Sequence, residues 1–134
     1  MIMNKFQKRI VKMSKSCQAA IVIGDAFGHL EELLEIFGTV FVVADQPPTI
    51  RAKNLVYRES FDKFEQMSEI NFMFYNLNTV GLLERSTGVW YRNKPIVIIE
   101  GRDVIEREFS KALYASRYNA VHQEEEYHVW KLNQ

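Results

Sequence analysis

Two glycines and an acidic residue follow the first two apolar runs of this chain. Gly24 and Gly28 come after the run Ala20–Ile23, and Asp45 closes a second apolar run 21 residues after Gly24. Glycines allow a backbone to approach a ligand closely, and a helix that follows them can present amide donors. A carboxylate at Asp45 can accept hydrogen bonds from both hydroxyls of a ribose. This spacing is typical of a nucleotide-binding βαβ unit.

Purely structural roles explain the same residues. Gly24 and Gly28 suit a tight strand-to-helix turn, and Asp25 suits the N-cap of the following helix. Asp45 precedes the sequence QPP and can cap a turn there. His29, in the first turn of the predicted helix, is expected to be a surface residue rather than a catalytic base.

The motifs that bind nucleotide phosphates are missing from the sequence. The dinucleotide fingerprint requires three glycines spaced G-x-G-x-x-G, and the loop GDAFG lacks that spacing. No glycine is followed by Lys-Ser or Lys-Thr, so there is no Walker loop. Another nucleotide, such as NAD or a nucleotide sugar, remains an alternative ligand, although this loop has no basic residue for its phosphates.

Apolar, β-branched runs alternate with helical patterns along the chain. An apolar stripe with helical spacing lies between the first two runs, and Gly38 stands where the cap of that helix is expected. Further helices are predicted over residues 61–67 and 80–90 and from Val104 onward. The predicted strands are Ala20–Ile23, Val40–Ala44, Leu55–Tyr57, Ile70–Tyr75, Ile96–Ile99 and Tyr127–Leu132.

Strands separated by helices of this length predict successive βαβ units and a parallel sheet with helices on both faces. The last run, Tyr127–Leu132, instead alternates polar and apolar residues after an acidic loop, which indicates an antiparallel edge strand. We therefore predict a three-layer Rossmann-like α/β domain, with a mostly parallel sheet of about six strands and an antiparallel C-terminal edge strand.

With Gly24, Gly28 and Asp45 in these positions, the chain resembles the class I S-adenosylmethionine-dependent methyltransferases. The first motif of that family is an acidic residue followed by three glycines at alternate positions, and an acidic residue closes its second strand. VIGDAFG matches the first motif, with Val22 at the acidic position and Ala26 at the middle glycine. FVVAD matches the second motif and ends in Asp45.

The resemblance implies a set of ligands for S-adenosylmethionine. RESFDKF falls where the family has a polar residue beside the adenine, which makes Ser60 or Asp62 the candidate. In the fourth strand, Asn71 stands at a position that is commonly acidic in the family. The implied cofactor-binding residues are Gly24, Asp25, Gly28, Asp45 and Ser60.

Three functions are compatible with this pattern. A small methyltransferase-like protein would bind S-adenosylmethionine at the carboxyl ends of the strands and act largely by positioning its reactants. The degenerate loop and the short chain fit a non-catalytic Rossmann-like scaffold for a protein partner or a homo-oligomer. Binding of another nucleotide in the same crevice is the third function. No residue is assigned a catalytic role, and enzymatic activity is left open.

Basic charge is concentrated at the N-terminus. Five of the 17 Lys and Arg residues lie in residues 1–16, which hold no acidic residue, whereas all 17 Asp and Glu residues follow. The spacing of four apolar residues places them on one helical face: Ile2, Phe6, Ile10 and Met13. We predict a basic helix or arm that docks on the acidic domain of residues 17–134, in preference to a nucleic acid or a membrane surface.

The length of 134 residues predicts one domain after this arm. No stretch approaches about 18 consecutive apolar residues, so no membrane span is predicted. The single Cys17 and the lack of a secretory signal favour the cytoplasm. His122 and His128 flank three glutamates at a spacing that suits no common metal site, so a solvated loop without metal is expected there.

Overall fold

A seven-stranded sheet forms the centre of the protein in the computed structural model. The structure describes residues 2–14, 16–24, 28–60, 69–75, 89–90, 92–100, 111, 113–123 and 127–132. The strands are β1 (Ala19–Ile23), β2 (Thr39–Val43), β3 (Leu55–Arg58), β4 (Ile70–Tyr75), β5 (Ile96–Glu100), β6 (Tyr118–Gln123) and β7 (Tyr127–Leu132). The helix predicted over residues 61–67, most of the one over 80–90 and the start of the one from Val104 lie outside the described residues.

The strand order is β3-β2-β1-β4-β5-β7-β6. The first five strands in this order pair in parallel, and β7 pairs antiparallel with both β5 and β6. The order reverses between β1 and β4, which is where sheets of this kind leave a crevice at the carboxyl ends of their strands. The predicted Rossmann-like α/β fold with a mostly parallel sheet and an antiparallel C-terminal strand is confirmed.

Two details of the sheet differ from the prediction. The antiparallel strand β7 is not an edge strand, because β6 lies outside it, and the described residues form seven strands instead of about six. The segment YNAVHQ of β6 escaped detection because it has no continuous apolar run: Tyr118 is buried, whereas Ala120 and Val121 are exposed. The alternating pattern of β7 therefore reflects an antiparallel strand inside the sheet.

Each face of the sheet carries its own apolar core. We call the first the α1–α2 face, after the helices α1 (Lys5–Met13) and α2 (Leu30–Ile36) that cover it. Its core consists of Phe6, Ile10, Ala20, Val22, Leu30, Leu33, Phe37, Val40, Val42, Ala44, Phe72, Phe74, Ile98 and Val129. The second, the Trp90 face, consists of Ala19, Ile21, Ile23, Phe41, Val43, Ile70, Met73, Tyr75, Val89, Trp90, Val97, Ile99, Leu113, Tyr118 and Trp130. Burial of alternate residues on opposite faces explains why the central strands are apolar throughout.

Helix α1 is fixed to α2 by a buried glutamine. Gln7 closes a capping box with Asn4 at the start of α1. The side-chain amide of Gln7 also donates to the Glu32 carbonyl oxygen at 3.0 Å and to the Glu35 carboxylate at 2.6 Å. The basic N-terminal segment therefore contains a helix that packs on an acidic helix of the domain.

The predicted apolar face of this segment is correct in part. Phe6 and Ile10 are buried and Met13 is partly buried against the same core. Ile2, by contrast, is 96% exposed, because it precedes the Asn4 cap and so does not belong to the helix. Within the described residues, no helix has the length and hydropathy that crossing a bilayer requires.

Asparagine side chains satisfy backbone groups where the parallel strands begin, which we call the amino edge of the sheet. Asn71 accepts hydrogen bonds from the amides of Gln18 and Ala19 at 2.8 and 3.2 Å, at a bulge between β1 and β4. Asn54 donates to the carbonyl oxygens of Leu34 and Phe37, at the end of α2.

Gly38, at the same edge, does not adopt the left-handed conformation that a glycine cap of α2 would have. The cap residue is Phe37, in extended backbone. A Cβ atom at Gly38 would lie 3.0 Å from the carbonyl oxygen of Gln18. Close approach of two chain segments, rather than a positive φ, is therefore the reason for a glycine here.

Candidate functional site

The sequence-predicted site residues follow adjacent strands at the opposite edge, which we call the carboxyl edge. Gly24 follows β1, Asp45 lies just beyond β2, and Ser60 lies just beyond β3. Gly28 is exposed in the turn that leads into α2. Because β1, β2 and β3 are neighbours in parallel, these residues share one edge. Asp25 lies outside the described residues.

Gly24 has a backbone conformation that requires glycine. Its φ is 112°, a value that side-chain-bearing residues rarely adopt, and it is buried. Its amide donates to the Val43 carbonyl oxygen at 2.9 Å, which continues the β1–β2 pairing one residue past the strand. The turn alone therefore accounts for Gly24, and the same turn brings bare backbone to the crevice.

Asp45 combines a fixed backbone with a free side chain. The preceding residue, Ala44, is anchored on both sides: its amide donates to the Arg58 carbonyl oxygen at 3.3 Å, and its own carbonyl accepts from the Tyr57 hydroxyl at 2.8 Å. Asp45 and Ser60 are both exposed, and neither side chain forms a hydrogen bond in the described part of the chain. The Asp45 carboxylate is therefore held at the edge with its oxygens available to a ligand.

His29 has a structural environment at the start of α2. Its ring stacks on Phe6 with centroids 3.9 Å apart, and its Nδ1 lies 2.9 Å from the Glu32 carboxylate. The imidazole is thus occupied on one face and at one nitrogen. The ring therefore connects Phe6 of α1 with Glu32 of α2. This structural role is consistent with the prediction that His29 is not a catalytic base.

Two positions that are acidic in the related motifs have other roles in this chain. Val22 is 1% exposed within the core of the α1–α2 face, so no carboxylate points to the crevice from there. Asn71 lies at the amino edge and satisfies the backbone of β1. Neither residue is placed to bind a ligand at the carboxyl edge.

Sequence reasoning missed His128. It was expected in a solvated loop, but it is only 9% exposed within β7. Its neighbour on the same face, Trp130, is 2% exposed. Both histidine ring nitrogens and the Trp130 indole nitrogen have no hydrogen-bond partner among the described residues. A buried polar atom without a partner costs about 1–3 kcal/mol, so such groups call for an explanation.

Burial also favours the neutral form of His128. Desolvation lowers the pKa of its imidazole from the ordinary value. A neutral imidazole has one N–H donor and one nitrogen that accepts a hydrogen bond or a proton. The signal in the sequence is the alternation H-V-W, which places His128 and Trp130 on one face of a strand.

The donor and acceptor chemistry of the carboxyl edge fits the adenosine half of S-adenosylmethionine. A carboxylate offers two oxygens for the adjacent hydroxyls of a ribose, and Asp45 is a free carboxylate next to the glycine turn of β1. Ser60 supplies a hydroxyl one strand further along. The methionine half of the ligand would have to be bound without a carboxylate at position 22, where the chain has Val22. Among the described residues, no group of three His, Cys, Asp or Glu side chains is arranged to hold a metal ion.

Comparison by sequence finds no relative of known function. No family model matches the chain, and no curated protein matches it. Comparison by structure does find similar proteins.

The N-methyltransferase NodS from Bradyrhizobium japonicum WM9 is similar with a TM-score of 0.64 and 11% identity, over 97% of this chain and 96% of that chain. Precorrin 8w decarboxylase from Methanobacterium thermoautotrophicum has a TM-score of 0.59 and 11% identity, over 100% of this chain and 97% of that chain.

A third similar structure was solved with a ligand. TrmK from M. capricolum, in complex with the cofactor product S-adenosyl-homocysteine, has a TM-score of 0.55 and 8% identity, over 98% of this chain and 68% of that chain. These identities are too low to transfer an activity, and one of the similar proteins is named a decarboxylase. The chain has the Rossmann-like fold of the class I S-adenosylmethionine-dependent methyltransferases.

Proposed function

We propose that the chain binds S-adenosylmethionine at the carboxyl ends of β1, β2 and β3 and acts as a small methyltransferase-like protein. The free Asp45 carboxylate on the anchored end of β2 is the observation that carries the proposal. In this position it would accept hydrogen bonds from the ribose hydroxyls. The glycine turn at Gly24 would let the ligand approach the backbone of β1, and Gly28 and Asp25 would border it.

The proposed adenine contact depends on one residue. Ser60 is the candidate contact for the adenine, because it is an exposed hydroxyl just beyond β3. When bound, the cofactor would supply an electrophilic methyl group. The protein would hold that group against a nucleophile of a second reactant and would exclude water from the pair. The similarity to TrmK with its bound cofactor product supports this choice over NAD or a nucleotide sugar.

Isothermal titration with S-adenosylmethionine, S-adenosyl-homocysteine, NAD and ATP tests the proposal. We expect binding of the first two ligands only. Asp45→Ala should weaken that binding by at least about 10-fold, because a hydrogen bond to a charged group contributes about 1.5–3 kcal/mol. Glu69→Gln is the matched control, since it removes an exposed carboxylate charge just before β4, at the opposite, amino edge of the sheet.

Two results would contradict the proposal. Equal affinities of the wild type and Asp45→Ala would remove Asp45 from the site. No binding of any of the four ligands by a folded protein would favour the alternative function, a non-catalytic scaffold, for which the valine at position 22 and the asparagine at position 71 are the supporting observations.

A further inference from the structure

His128 lies in the row of residues that closes the sheet at the carboxyl edge. On the Trp90 face this row runs from β2 to β7 as Val43, Ile23, Tyr75, Ile99 and His128. The four residues before His128 belong to the apolar core. Adjacent strands are about 4.8 Å apart, so the three strand steps from Ile23 to His128 span about 14 Å. His128 thus lies at the same edge that carries Gly24, on the other side of β4.

The two tryptophans of this face differ in whether the indole N–H has a hydrogen-bond acceptor. The Trp90 indole N–H donates to the Tyr75 hydroxyl at 2.9 Å in the buried core. Trp130, on the same face as His128, has no such acceptor among the described residues, and neither ring nitrogen of His128 has a partner there. Two polar side chains of β7, each more than nine-tenths buried, are therefore left unsatisfied side by side.

The strands divide the carboxyl edge into two parts. The candidate cofactor residues follow β1, β2 and β3, whereas His128 belongs to β7, beyond β4 and β5. A cofactor bound over β1 and β2 would leave the part over β5 and β7 for a second reactant. The only titratable side chain that the structure places buried in this second part is His128, counted over the described residues.

We infer that His128 binds the second reactant, and that this reactant offers a neutral hydroxyl or N–H group on an apolar body to the imidazole nitrogen. The inference rests on the proposed function. The group is neutral because the described neighbours of His128 in the row and in the core are uncharged, so a buried ion would have no counter-charge. Its body is apolar because the same face presents aromatic and aliphatic side chains. His128 accepts the hydrogen bond and orients the nucleophile.

Nuclear magnetic resonance of the ring nitrogens tests this without any enzymatic assay. The full chain, labelled with ¹⁵N-histidine, is titrated with phenol as the neutral probe and with benzoate and benzylammonium as charged probes of similar size. We expect the His128 nitrogens to shift with phenol and not with the two ions. The His29 nitrogens serve as the internal control, because that ring is already bonded to Glu32 and stacked on Phe6. His128→Gln assigns the signals.

A second variant keeps the inference falsifiable if phenol binds too weakly. His128→Phe replaces the imidazole by a ring without polar atoms. If the imidazole is unsatisfied until a reactant binds, this variant should raise the melting temperature by about 3 °C or more and abolish the phenol response. A lower melting temperature, or unshifted His128 nitrogens with all three probes, would show that the imidazole is satisfied within the protein or by a buried water, and would overturn the inference.

The outcome is separable from that of the cofactor titration. The phenol response needs no cofactor, so it can appear even if S-adenosylmethionine does not bind. Conversely, cofactor binding that depends on Asp45 without any response of His128 would retain the proposed function and reject this site for its second reactant.

Discussion

The two edges of the sheet differ in whether particular polar side chains are hydrogen-bonded within the fold. At the amino edge, Asn54 and Asn71 bond backbone groups of neighbouring elements. At the carboxyl edge, Asp45 and Ser60 are exposed and unbonded, and His128 is buried and unbonded, as far as the described residues extend. A polar group that is satisfied within the fold contributes to stability, and one left free is available to a ligand. The comparison indicates that the two asparagines serve the stability of the fold, whereas Asp45, Ser60 and His128 leave polar groups unused by the described part of it.

The largest expected effect is on stability, from Asn54→Ala at the amino edge. Its side-chain amide bonds two carbonyl oxygens at the end of α2, at 2.8 and 2.9 Å. Removal of both bonds should lower the free energy of unfolding by about 2–3 kcal/mol, measured by urea denaturation. Ser60→Ala at the carboxyl edge is the control, with an expected change below about 0.5 kcal/mol. Equal losses in the two variants would break the comparison.

Asn71 allows a sharper test, because its side-chain oxygen makes both hydrogen bonds that it has to the described residues. Asn71→Ala should lower the free energy of unfolding by about 1–2 kcal/mol, since the amides of Gln18 and Ala19 lose their acceptor. Asn71→Asp keeps an acceptor oxygen and should remain close to the wild type in the same denaturation series. If the aspartate variant is as unstable as the alanine variant, the two hydrogen bonds are not the source of the effect.

A smaller effect is expected from pH. Burial lowers the folded-state pKa of His128, so the unfolded chain binds the proton more readily and stability falls as the pH drops below the unfolded value. One histidine with an unfolded pKa of about 6.5 can contribute at most about 0.7 kcal/mol between pH 7 and pH 6. Urea denaturation at both pH values measures this loss. It should be smaller in His128→Gln, and an identical pH dependence of the two proteins would contradict the lowered pKa.

The smallest expected effect on stability comes from Asp45→Ala. Its carboxylate is exposed and has no partner in the described part of the chain, so the free energy of unfolding should change by less than about 0.5 kcal/mol. Thermal denaturation without ligand measures this. A large loss of stability would assign Asp45 to the fold, as a turn cap, and would weaken the case for a ligand.

The residues that allowed the fold to be predicted are those of the buried parallel strands. Strands β1, β2, β4 and β5 have continuous apolar sequences because both faces of the sheet are buried under helical residues. Strand β6 has no such signal, since Tyr118 is buried but Ala120 and Val121 are exposed at the rim of the sheet. The position of β7 between β5 and β6 depends on long-range pairing that no local pattern encodes.

The candidate site was predictable to a similar extent. The position of Gly24 was predictable because the turn that it occupies disfavours residues with a side chain. The position of Asp45 was predictable because it follows an apolar run at a strand end. The burial of His128 was not predictable, since an acidic loop precedes it and its burial depends on pairing with Ile99 on one side and Gln123 on the other. Asn71 was read as a displaced acidic position, whereas its actual partner is a backbone segment 52 and 53 residues away.

The insertion of β7 between β5 and β6 has a consequence for synthesis on the ribosome. Strands β1 to β5 can pair with one another once β5 has left the exit tunnel, because all five end by residue 100. Strand β6 has no partner at that stage, since its neighbour β7 is translated after it. Until residues 127–132 emerge, both β5 and β6 expose unpaired strand edges to other chains. A nascent chain stalled just before Tyr127 should therefore be the form most prone to aggregation and the form most in need of a chaperone.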